Sequence, residues 1–129
     1  MVIHKKRMGC IEMGYETILF ERTARRAVVT LNRPDAMNAM DFTMMRELAD
    51  CFERLHDEKG IDVLVLKGAG KVFSAGGDVK MMVSSDDPDD FKYIMSYISR
   101  LVRAYYTLPM VTIAEVHGAA AGLGFSLAL

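Results

Sequence analysis

Gly68-Ala69-Gly70-Lys71-Val72-Phe73-Ser74-Ala75-Gly76-Gly77-Asp78 is a run rich in small residues, directly after the aliphatic stretch Val63-Leu64-Val65-Leu66. Further along, Val111-Thr112-Ile113 precedes a second such run, Val116-His117-Gly118-Ala119-Ala120-Ala121-Gly122-Leu123-Gly124-Phe125-Ser126. A strand that breaks at small residues and restarts as a helix leaves backbone N–H groups unpaired at the positive helix end. Two such breaks side by side can aim two N–H donors at one oxygen, which is the makeup of an oxyanion hole.

Other glycine-rich loops fail on spacing. A P-loop needs a Gly at position 65 and a Ser or Thr after Gly70-Lys71, where Val65 and Val72 stand. The dinucleotide fingerprint needs a third Gly at position 73, which is Phe73. The Gly118 and Gly122 spacing alone more often reflects close helix packing than chemistry.

Outward from these loops, strands and helices alternate. Thr17 to Glu21 and Ala27 to Leu31 read as a hairpin around residues 22–26, and Pro34 stops the second strand. Asp41 caps a helix expected to run to about Lys59, with Gly60 at its far end. Its inner face holds Met45, Leu48, Ala49, Phe52 and Leu55, while Glu47, Asp50, Glu53 and Arg54 lie elsewhere. Ile61 to Lys67 is a buried-type strand. The acidic run Asp86-Asp87-Pro88-Asp89-Asp90 reads as a helix start rather than a metal site: Asp87 caps, Pro88 opens the first turn, and two acids meet the positive end. That helix is expected to bury Phe91, Ile94, Ile98, Leu101, Val102 and Tyr105 and to end before Pro109. Met110 to Val116 is a further strand, and Gly122 to Leu129 a small apolar helix. The order ββ-α-β-α-β-α with short loops predicts a layered α/β fold.

The length of 129 residues suits one domain, and a net charge of −1 gives no electrostatic reason to expect nucleic acid or an anionic membrane as partner. No apolar run approaches a membrane span, since Glu115 and His117 interrupt the best one. Lys5, Lys6 and Arg7 are not followed by the apolar core of a signal peptide. Cys10 and Cys51 show no pattern, which suits a reducing cytoplasm, and His4, His56 and His117 lack metal-ligand spacing. Eleven methionines read as adaptable core filling.

Leu31-Asn32-Arg33-Pro34, Asn38-Ala39-Met40, Phe73-Ser74-Ala75-Gly76-Gly77-Asp78 and the Gly118 to Gly124 segment, in this order and spacing, resemble the crotonase (enoyl-CoA hydratase/isomerase) superfamily from about Tyr15 to Leu129. The resemblance implies a crotonase-like spiral of ββα units, here ending in the first turns of a helix, so the chain resembles the N-terminal part of that fold. Residues 1–14 fall outside it and are expected to be a tail, or an upstream start that the working protein does not use. It further implies an acyl-CoA thioester as substrate, coenzyme A being part of that substrate and no separate cofactor or metal being needed. The oxyanion donors would be the backbone N–H groups of Ala75 and Leu123. Ala36, Met37, Gly76, Gly77, Asp78, Val79 and Gly122 would line the substrate site, and Leu123 replaces the glycine common at its position. Asp78 reads as a helix cap before it reads as a general base. Arg33, Lys71 and Lys80 are candidate phosphate contacts or solvated surface charges. Hydratases of the family carry a glutamate at the position of Ser126, and a neutral serine without an activator is no base. The expected function is therefore enolate stabilisation by a homo-oligomer, trimer-based by resemblance, with this chain alone weakly active or inactive. The alternative is a noncatalytic remnant or interaction module. Apolar surface is expected near Phe125, Leu127 and Leu129.

Overall fold

The computed structural model describes residues 14–129. The expected N-terminal tail, with Cys10, lies outside the described residues apart from Gly14. Strands β1 (Ile18–Thr23) and β2 (Arg26–Leu31) form the hairpin, followed by a 3-10 turn at Pro34–Ala36 and helix α1 (Phe42–Leu55). Strand β3 (Val63–Gly68) leads into a short helix α2 (Val79–Val83), then the long α3 (Pro88–Tyr106), β4 (Val111–Glu115) and α4 (Leu123–Ala128). The expected alternation holds, with the 3-10 turn and α2 added to it.

The sheet runs β1-β2-β3-β4. β1 and β2 are antiparallel, whereas β3 and β4 each join in parallel, with Ala27 opposite Leu64 and Leu64 opposite Thr112. Parallel neighbours need a crossover, and α1 and α3 supply the two here. Ile18, Phe20, Ala27, Val29, Leu31, Leu64 and Leu66 face these helices and share a core with Met44, Met45, Leu48, Phe52 and Leu55 of α1. Helices α1 and α3 lie side by side in the same direction: Phe42 stacks on Tyr93 at 5.2 Å, Arg100 meets Glu53 at 2.7 Å, and His56 Nε2 donates to Ala104 O at 2.9 Å.

Three local expectations are corrected, and the burial of one acid is added. The hairpin turns on only two residues, Ala24 and Arg25, since Thr23 already pairs with Arg26. Helix α1 ends at Leu55, because the chain tightens into successive i→i−3 turns, with Asp57 N–H on Arg54 O and Glu58 N–H on Leu55 O. Phe91 is 58% exposed instead of buried, as α3 begins one turn before it reaches Phe42 at the start of α1. Glu47 is only 6% exposed. Its carboxylate accepts the N–H of Glu16 at 2.7 Å, the N–H of Thr17 at 2.8 Å and the Thr17 hydroxyl. The chain entering β1 crosses that face of α1, and its donors need an acceptor there.

Candidate functional site

The two glycine-rich loops adjoin. Phe73 and Ser74 N–H both donate to Ala119 O at 3.1 Å, and Ala121 N–H returns a bond to Ser74 O at 3.0 Å. Gly76 makes the approach possible: it sits at φ +99, and a Cβ there would lie 2.7 Å from Ala121 O. Gly124 plays the same part at the start of α4, where a Cβ would meet Ser74 O at 2.8 Å.

A buried amide organises the first loop. Asn38, fully buried, donates from Nδ2 to Ala69 O, Val72 O and Phe73 O at 2.8, 3.0 and 3.1 Å, and its Oδ1 accepts Arg33 N–H at 2.8 Å. Its carbonyl accepts the Ser74 hydroxyl at 2.8 Å, and Ser74 Oγ accepts Gly76 N–H at 3.0 Å. Met37 and Asn38 reach this arrangement at φ +51 and +53, a strained pair in non-glycine residues. The sequence motifs contain Asn38 and Ser74 but give neither a role. The available signal was that a Gly-rich loop has many carbonyls to satisfy and Asn is the nearest side chain with two donors.

Between Ser74 and Asp78 one N–H is left without an acceptor among the described residues. Ser74 donates to Ala119 O, Ala75 to Met37 O at 2.9 Å, Gly76 to Ser74 Oγ, and Asp78 to Met40 O at 2.9 Å. The Ala75 N–H expected to face a ligand is thus already spent, and its loop mate Gly77 has no acceptor among the described residues. In the second loop, Leu123 N–H likewise has none, lying at the first position of α4 after Gly122 at φ +53. The N–H left open in the first loop thus lies two residues beyond Ala75.

A cavity of about 370 Å³ opens beside the first loop, lined by Asp35, Ala36, Met37, Ala39, Ala75, Gly77, Asp78, Val79 and Lys80. Six of the nine expected site residues line it, while Gly76, Gly122 and Leu123 do not; Gly76 and Gly122 meet at the junction of the two loops. Asp78 caps α2, its Oδ1 accepting Met81 N–H at 3.2 Å. Arg33 pairs with Asp78 and Asp41. Ser126 Oγ bonds Gly122 O at 3.4 Å, and Tyr106 donates its hydroxyl to Ser126 O. Among the described residues no trio of His, Cys, Asp or Glu is placed to hold a metal ion.

A family model described as enoyl-CoA hydratase/isomerase matches residues 21–129. The chain belongs to this family. It is 50% identical over 103 residues to the Bacillus subtilis enoyl-CoA hydratase/isomerase-family protein YhaR, covering 80% of this chain and 40% of that protein. It is 33% identical over 120 residues to a crotonyl-CoA hydratase of Syntrophomonas wolfei, covering 91% of this chain and 45% of that protein. Among solved structures, an enoyl-CoA hydratase from Mycobacterium smegmatis superposes with a TM-score of 0.83 at 32% identity, over 87% of this chain and 44% of that one. One from Shewanella pealeana gives 0.85 at 27% identity, over 94% and 46%. The fold is thus that of the N-terminal part of a crotonase, and the chain spans less than half the length of the curated relatives it matches.

Proposed function

We propose that this chain carries the charge-stabilising half of an enoyl-CoA hydratase/isomerase site. An acyl-CoA thioester would lie in the cavity beside Ala36, Met37, Asp78 and Val79, its carbonyl oxygen taking hydrogen bonds from Gly77 N–H and Leu123 N–H. The supporting observation is that from Phe73 to Asp78 every N–H but that of Gly77 has an acceptor, and that Leu123 N–H, at the first position of α4 on the adjoining loop, has none among the described residues. Donors fixed before the reaction gain most when the carbonyl acquires enolate charge, and each is worth a few kcal/mol in a dry site, roughly 10²–10³-fold in rate. The cavity's carboxylates are Asp35 and Asp78, and Asp78 is committed to capping. The acid–base half of the reaction is therefore assigned to parts of the whole protein outside the described residues.

A pair of substitutions at one position tests this. Leu123 occupies the first position of α4, where proline fits a helix and removes only the N–H. In the whole protein, Leu123→Ala keeps the donor and should retain turnover of crotonyl-CoA. Leu123→Pro should lose about 10²-fold in kcat with less change in KM. Equal turnover by the two variants would refute the donor assignment, and a lack of crotonyl-CoA binding by the whole protein in calorimetry would refute the ligand class.

A further inference from the structure

We propose that Arg33 is a positioning residue that ties the start of α2 to the start of α1 and so holds the Gly77 N–H in place, an inference that rests on the reading of the site given above. Helix α2 has only five residues and none is fully buried, so its length is not enough to keep it formed. Met81 and Met82 pack against the edge of the core, and its other anchors are polar. Asp78 Oδ1 accepts Met81 N–H at 3.2 Å, and the Phe42 N–H reaches Met81 Sδ at 2.8 Å.

Arg33 joins these anchors. Its Nη1 donates to Ala39 O and to Asp78 Oδ2, the latter at 3.3 Å, and its Nε lies 3.7 Å from Asp41 Oδ2. Each aspartate uses its other oxygen as a helix cap, Asp41 Oδ1 accepting Met44 N–H at 2.9 Å. One guanidinium thus neutralises the caps of two helices and also holds the backbone between them. Gly77 immediately precedes Asp78, whose own N–H is fixed on Met40 O. The peptide that carries the open donor, between Gly76 and Gly77, is held on one side by Gly76 O accepting Met40 N–H at 2.7 Å, and the Asp78 cap fixes the chain on its other side. A planar fork facing three acceptors is a task that lysine cannot perform.

Native-state amide exchange of the 129-residue chain, residue by residue, is the primary test. Arg33→Met should accelerate Met81 and Met44 N–H together by roughly fivefold, as loss of a cap does, with β2 and β3 amides unchanged and the Gly77 resonance displaced. Asp78→Asn should accelerate Met81 alone, and should add little once Arg33 is gone. Arg33→Lys should resemble Arg33→Met, and carries the comparison if the methionine variant does not fold. Unchanged Met81 exchange, or strictly additive effects, would overturn the proposal. A second arm reads the carbonyl infrared band of crotonyl-CoA in the whole protein. Binding should shift it to lower wavenumber, and Arg33→Met should weaken that shift with coenzyme A affinity retained. A loss of affinity for coenzyme A but not for dephospho-coenzyme A would make Arg33 a phosphate contact and also overturn the proposal. If the unsubstituted protein binds no crotonyl-CoA, the site reading fails, and the exchange arm still decides what Arg33 does.

Discussion

Asn38 shows how one residue sets a loop. Replacing it with alanine would leave the carbonyls of Ala69, Val72 and Phe73 without their shared donor inside the protein. Unpaired buried acceptors cost about 1–3 kcal/mol each before water rescues some of them, so Asn38→Ala should lose roughly 2–4 kcal/mol in urea denaturation; a loss below about 1 kcal/mol would show that the network is dispensable. Ala24 offers the opposite case. It turns the hairpin at φ +53, where a side chain costs about 1–2 kcal/mol and glycine costs nothing sterically. Ala24→Gly should therefore raise the melting temperature by a few degrees, net of the glycine's greater chain entropy. Neither effect was legible in the sequence. The turn reading spread over residues 22–26 because nothing there marks where a two-residue loop begins, and Asn38 acts through carbonyls that only the folded loop brings to it.

Among elements, those with their own punctuation were legible and those set by neighbours were not. Asp41, Asp78 and Asp87 each cap the helix that follows, Asp87 Oδ1 accepting Asp89 N–H at 2.9 Å ahead of Pro88. Phe91 fell outside the core because periodicity places it on the right face but does not say where the partner helix starts. Glu47 lies off the apolar face of α1, and its burial was not legible because its donors come from the start of β1, about thirty residues away in the chain. Next to it, Tyr15 donates its hydroxyl to Asp50 Oδ2 at 2.6 Å, and burial foremost, with that bond second, pushes its pKa up. A phenol whose pKa is higher folded than unfolded contributes stability below its unfolded value, near 10, and loses it as pH rises beyond that value. Stability should therefore fall from about pH 10 upward, and Tyr15→Phe should flatten that decline in alkaline denaturation curves. An unchanged slope would show that the Tyr15 hydroxyl is as free to ionise in the fold as in the open chain.

For the whole molecule, the sheet poses a question of coverage. Val63-Leu64-Val65-Leu66 is apolar at every position, so no period-2 pattern told which face would be buried. Leu64 and Leu66 lie under the helices, and Val63 and Val65 point to the other side. In β4 the same register puts Thr112 and Ala114 on the helix side, while the larger Val111 and Ile113 face outward at 61% and 49% exposure. Among the described residues β4 is also an edge strand, and such an edge offers backbone groups to another strand. Of the apolar residues expected at the surface near the C-terminus, Phe125 and Leu129 are exposed, whereas Leu127 is buried against the core. Apolar side chains beside an open edge favour association, so the 129-residue chain should sediment above the mass of one chain as its concentration rises. Ile113→Lys adds a charge to both features and should shift the equilibrium back towards the monomer. The substitution leaves the core untouched, since Ile113 is not among the side chains that pack against it. A monomer at all concentrations for the unsubstituted chain would show that the outer face is tolerated in water, and would remove the physical case for an oligomer built through this sheet.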